Sequence, residues 1–190
     1  MEWLLGVPVG LALSTAAGLR IFVPLLVTSI AARSGYITLT PGMTWIGSDA
    51  ALVAFATALV VEVSAYYVPW LDNVLDTIAT PVATGAGIIA MAAVTPDLPP
   101  LIRWTLAIVA GGGAAGLAQV SAALLRLKST ALTAGTGNSV VATAELGGAI
   151  VLSLLALLAP VLAAVAVVGL LAWLLRRASR RRASHRVTPG

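Results

Sequence analysis

The apolar runs in this chain are long, and almost nothing charged interrupts them. Five stretches, roughly 18–33, 49–68, 80–95, 101–125 and 139–158, approach the ~20 apolar residues that a spanning helix needs. A sixth, 160–175, is shorter and ends at Arg176. Charged residues make up only 9% of the chain, against about 25% in soluble domains. So little charge leaves too few polar groups to cover a globular surface in water. The sequence therefore predicts an all-α fold, a polytopic transmembrane bundle of about six spans forming one domain over residues 1–176.

The stretch 3–16 is too short to cross a bilayer comfortably. It reads as a half-helix, a re-entrant segment or the first part of one long kinked helix. Gly18 and Pro24 are the places where such a helix would break. Met1-Glu2-Trp3 carries no positive charge, and the chain stays apolar beyond Gly18, so a cleaved signal peptide is not expected.

The charge that exists is unevenly placed. The acids are scattered at Glu2, Asp49, Glu62, Asp72, Asp76, Asp97 and Glu145, while basic residues crowd into the C-terminus. Residues 177–190 are expected to form a disordered, cytoplasmic basic tail. Arg176, Arg177, Arg180, Arg181 and Arg182 would meet anionic lipid headgroups there, each contributing about 1 kcal/mol. Nucleic-acid binding is not expected of so short a tethered segment. The positive-inside bias places the C-terminus in the cytoplasm and the chain in an inner cell membrane. There is no cysteine, and the one histidine, His185, lies in the tail. No disulfide, thiolate or histidine chemistry follows, and no cofactor is implied.

Four stretches break the apolar pattern: 14–20, 69–81, 95–100 and 129–139. The third, with Pro96-Asp97 and Pro99-Pro100, reads as an ordinary loop. Counting helices back from the tail puts the other three on the cytoplasmic side, together with Glu62 and Glu145. Ionisable groups inside a bilayer are costly and mark ion paths or paired contacts. Glu62, Asp72, Asp76 and Glu145 are therefore candidates for an ion-binding site or proton path. Arg20, Lys128 and Asn138 are candidate partners, with Arg126 able to neutralise either glutamate. Asp72 and Asp76 share one helix face if a helix starts at Pro69, which also suits plain capping of that helix. Gly111-Gly112-Gly113 with Gly116 lacks the lysine of a phosphate loop and reads as a packing face. Thr15 to Leu19 echoes Gly113 to Leu117, a weak hint of an inverted repeat.

These observations favour a small transporter or channel for a cation or proton. A non-transporting scaffold that organises lipid or a partner is the alternative. A lipid-acting enzyme ranks third, because the sequence offers no nucleophile and base; the expectation is not an enzyme.

Three elements carry a family resemblance. They are Ala16-Ala-Gly-Leu-Arg-Ile-Phe-Val-Pro-Leu-Leu26, then Glu62 with Pro69-Trp-Leu-Asp72 and Asp76, then Lys128 with Asn138 and Glu145. In order and spacing they resemble the bacterial membrane family catalogued as domain of unknown function 4126, over nearly all the chain to about Pro160. The resemblance implies a multi-pass membrane protein and supplies no activity. It also implies an aspartate near position 66, where this chain has Tyr66. Any role of that acid in a site would be altered here.

Overall fold

A computed structural model describes the backbone of residues 3–65, 69–133 and 136–184, with side chains for all of these but 3–4, 69–77, 174–175 and 177–184. The described chain is all-helical. It runs α1 (Trp3–Leu19), α2 (Phe22–Arg33), a 3-10 turn (Thr44–Gly47), α3 (Asp49–Ala65) and α4 (Pro69–Ala93). Then come α5 (Pro100–Leu106), a π-helical segment (Ala107–Gly112), α6 (Gly113–Thr133), α7 (Asn138–Leu158) and α8 (Pro160–Ser184). Two stretches, Pro100–Thr133 and Asn138–Leu158, are long and apolar enough to cross a membrane. Leu5–Leu19, Phe22–Arg33, Ile78–Ala93 and Pro160–Trp173 are shorter apolar helices.

Helix α1 is the hub, packed on α4, α6, α7, α8 and α2. Its composition explains why. It is apolar on every face, and a helix with no polar face belongs in the interior. Ala12, Leu13, Ser14, Thr15, Ala16 and Ala17 are all buried. Small side chains let neighbouring backbones come close. A side chain added at Gly18 would sit 2.3 Å from the Ala115 carbonyl oxygen. The Ser14 hydroxyl donates to the Gly87 carbonyl at 2.7 Å. Of the buried apolar residues described, 21 of 31 are alanine, which makes the interior one of close helix approach rather than of large interlocking side chains.

The predicted span at 18–33 does not form as one helix. Helix α1 continues to Leu19 and the chain breaks at Arg20–Ile21, between the two anticipated weak points. At about 1.5 Å per residue, neither α1 nor α2 reaches the ~30 Å of a bilayer core. They instead fold back as a hairpin. Leu5, Gly6 and Val9 of α1 share a 330 Å³ cavity with Tyr36, Ile37 and Thr38, just beyond the end of α2. At that open end the Tyr36 hydroxyl donates to the Leu157 carbonyl at 3.3 Å, and the Thr40 amide donates to the Ala93 carbonyl at 2.8 Å.

Other interruptions behave differently from their sequence appearance. The 95–100 stretch is a loop as expected, but Pro81 lies inside α4 without ending it. The α4 face carrying Ala83, Ala86 and Ala90 is buried, and that packing outweighs one missing backbone bond. Helix α6 runs on to Thr133, so the 129–139 interruption shrinks to a short connection. Helix α8 continues to Ser184, into the segment expected to be disordered. Segments Thr15–Leu19 and Gly113–Leu117, which echo each other, touch at Gly18 and Ala115, a meeting of two small-residue faces.

Candidate functional site

The closed end of the α1–α2 hairpin is buried and charged. Starting a helix leaves its first four backbone N–H groups without partners. At α2 these belong to Ile21, Phe22, Val23 and Pro24, and Pro24 has no N–H to satisfy. Glu62 of α3 supplies two of the rest. Its Oε1 accepts from the Ile21 amide at 2.9 Å and its Oε2 from the Phe22 amide at 3.2 Å. No residue of α2 itself caps this end. The carboxylate also suits the positive end of the helix dipole.

Arg20, the residue at the break, reaches the other way. Its Nη2 donates to the Ala142 carbonyl of α7 at 2.8 Å and lies 3.5 Å from Glu145 Oε2. Arg126 of α6 approaches the same carboxylate, with Nη1 at 3.4 Å. Arg20, Arg126, Glu145 and Glu62 are exposed by only 2%, 2%, 6% and 7%, so all four charges are withdrawn from the surface. Both arginines act electrostatically on Glu62 as well. The cluster thus holds two positive and two negative groups, drawn from α3, α6, α7 and the α1–α2 break. Gln119 of α6, exposed by 3%, is a further buried polar residue, about two helical turns before Arg126 and on the same face.

Beside Glu62 lies a cavity of 370 Å³ between α2, α3 and α4. Ile21, Phe22, Ala58, Val61, Ala65, Ile78, Ala79 and Val82 line it with apolar surface, and Glu62 is the one charged residue among the described residues of its wall.

A family model described as Domain of unknown function (DUF4126) matches residues 7–180. The chain belongs to the DUF4126 family. No curated protein and no solved structure gives a significant match.

For this family member, the residues singled out from sequence divide into three groups. Arg20, Glu62 and Glu145 come together. Lys128 does not join them; it is exposed on α6, and Arg126 takes the place at Glu145. Two residues of helix turn the side chain away from the cluster, which a sequence count of charges cannot register. Asn138 is also elsewhere, starting α7 and exchanging hydrogen bonds with Thr130 at 2.9 and 3.3 Å. Asp72 and Asp76 fall in the first turns of α4, which does start at Pro69, but their side chains lie outside the described residues. So do those of Arg177, Arg180, Arg181 and Arg182, and all of Tyr66; Arg176 is exposed near the end of α8.

Sequence reasoning did not find the partners that Glu62 uses. They are backbone amides, and they become available only because the helix breaks at Arg20. The pairing of Pro24 with a buried arginine four residues earlier was the available clue.

Proposed function

We propose that this protein is a small, multi-pass membrane transporter that moves protons, with Glu62 as the group that takes up and releases them. Membrane embedding is supported by the apolar helices and by the outward-facing large side chains. Val60, Val109, Leu127, Leu132, Leu158 and Leu162 are all exposed by 65% or more. Soluble proteins rarely expose contiguous apolar surface on this scale. In this reading the C-terminal end of α8 faces the cytoplasm, as does the closed end of the hairpin.

The observation that carries the transport reading is the Glu62 latch. A carboxylate in the interior holds the N-terminus of a half-helix, at the break between two short helices. Discontinuous helices with charged groups at their ends are how many transporters build sites at membrane depth. Protonating Glu62 removes the charge that the α2 amides and the two arginines favour. The proton therefore weakens the contact that closes the hairpin, and loss of the proton restores it. A proton suits this cluster better than a metal cation. Glu145 already faces two guanidinium groups, and their positive charge repels any cation brought to it.

The scaffold reading also has a specific observation in its favour: Arg20 and Arg126 neutralise Glu145 as a structural ion pair would. Proteoliposomes with an internal pH-sensitive dye separate the two. Intact protein should carry protons down a pH gradient, and Glu62→Gln should lose most of that flux while remaining folded. No proton movement with intact protein overturns the transport reading and leaves the scaffold.

A further inference from the structure

Seven side-chain hydroxyls are buried among the described residues, and two of them stand apart. Ser14 and Thr40 donate to carbonyls of α4, at 2.7 Å each. Thr15, Thr28 and Thr95 donate to the carbonyl four residues earlier, at 2.8, 2.7 and 3.0 Å. Back-bonding of that kind satisfies a helical hydroxyl with no outside help. Ser29 and Ser153 do not use it. Both are 0% exposed, and neither Oγ has a hydrogen-bond partner among the described residues. Buried polar groups without a protein partner are normally held by ordered water.

The two serines lie at one level of the fold. Helices α2 and α7 pack on each other. At the closed end Arg20 donates to the Ala142 carbonyl, and at the open end Tyr36 donates to the Leu157 carbonyl. The two helices therefore run side by side in the same direction. Ser29 is nine residues past Arg20 and Ser153 eleven past Ala142, a difference of about 3 Å of helix rise. Ser153 also shares the buried face of α7 with Ala142, Glu145, Ala149 and Ala156, so no long side chain of that face stands between Glu145 and Ser153. One turn beyond Ser153, Leu157 lines the 330 Å³ cavity of the open end, with Tyr36 and Thr38 in its wall. That cavity has room for several waters at about 30 Å³ each.

We propose that water bound at Ser29 and Ser153, between α2 and α7, carries the proton between the charged closed end and the open-end cavity. This rests on the proton reading above and supplies the half of the route that Glu62 leaves open. With the closed end toward the cytoplasm, the route needs an exit on the opposite face. Ser153 is eight residues from Glu145, about 12 Å of helix rise, which is too far for a direct hydrogen bond. Water completes the path. Each hydroxyl or water accepts a proton from one neighbour and passes its own to the next, so every group in the seam ends with the charge it began with.

The chain has no cysteine, so a single introduced thiol can be followed by itself. The test is hydroxyl-radical labelling by X-ray radiolysis of the full chain in lipid nanodiscs, read by mass spectrometry as thiol oxidation. Ser29→Cys and Ser153→Cys put the thiol in the seam. Val151→Cys puts it at nearly the same level on the outer side of α7, where Val151 is 57% exposed. The radicals form from water and react close to where they form, so the seam thiols should oxidise at least tenfold faster. Seam rates no faster than that of Val151→Cys overturn the water site. Proton flux in proteoliposomes tests the route. Ser153→Leu, which fills the seam, should lower flux at least tenfold, and Ser153→Ala, which keeps the space, less than threefold. Fast seam oxidation with undiminished flux in Ser153→Leu overturns the route and leaves Glu62 as a carrier with another exit. Fast seam oxidation with no flux in the intact protein supports the bound water and overturns the proton reading.

Discussion

The two ends of the α1–α2 hairpin are held by different chemistry. At the closed end, Arg20, Arg126, Glu145 and Glu62 meet in the interior. At the open end the hydrogen bonds are neutral, Tyr36 on Leu157 and Thr40 on both Ala92 and Ala93, and the ion pair there, Arg33 with Asp49, lies at the surface. The open end also uses glycine where the backbone turns, with Gly35 at φ 72° and Gly42 at φ 89°. Neutral hydrogen bonds hold the same strength over a wide range of pH. Carboxylates do not, because a proton removes their charge. The open end is therefore an anchor, and the closed end is the place where the hairpin can respond to a change in its surroundings.

The largest way to sharpen this contrast is at Arg126. Removing one partner of a buried ion pair costs about 3–5 kcal/mol, and here Arg20 stays beside Glu145 when Arg126 is removed, which makes that the upper end of the expected loss. Arg126→Ala should lower stability by that order in chemical unfolding from detergent micelles. Combining it with Glu145→Gln should recover part of the loss, since the carboxylate that lost one of its two guanidinium neighbours is then neutral. A double variant as unstable as the sum of the two singles would show that the groups do not act as a pair.

Glu62→Ala comes next. It leaves the Ile21 and Phe22 amides without their acceptors, and each unsatisfied buried donor costs about 1–3 kcal/mol. Hydrogen exchange should speed up first at the start of α2. Unchanged exchange there would mean that the latch does not hold the hairpin closed. Gly18→Ala tests the packing behind the latch. Its new methyl would fall 2.3 Å from the Ala115 carbonyl oxygen, on backbone that cannot swing aside. Overpacking of this kind costs about 1–3 kcal/mol, and a neutral result would show that α1 and α6 can separate freely.

How far the sequence foretold these contacts depends on what kind of partner each residue uses. The helices were legible, because apolar runs of this length have few other solutions. Arg20, Glu62 and Glu145 were legible too, since a charge inside an apolar run stands out. The helix break was visible only as an ambiguity between Gly18 and Pro24. It resolved at Arg20 because that side chain finds acceptors on α7, a segment more than a hundred residues away. The choice of Arg126 over Lys128 was not legible, because both lie near the same end of one helix and only the facing of α6 separates them. Nor was the Glu62 cap, since backbone amides carry no mark in a sequence.

The smallest expected effects return to the comparison of ends. Thr40→Val removes the hydroxyl that donates to Ala92 at 2.7 Å and keeps the shape of the side chain. The expected loss is about 1 kcal/mol, with no change in any pH dependence the protein shows. Arg33 and Asp49 then provide the control for charge itself. They form an ion pair near the open end, but their side chains are 38% and 86% exposed. Water screens such a pair, and its value is typically under about 1 kcal/mol. Arg33→Ala should therefore lower stability slightly at low salt and hardly at all at high salt. Arg126→Ala should keep most of its effect at high salt, because ions cannot reach a buried pair. If both variants lost their effect together as salt rose, the closed end would be as wet as the surface, and the distinction between anchor and responsive end would fail.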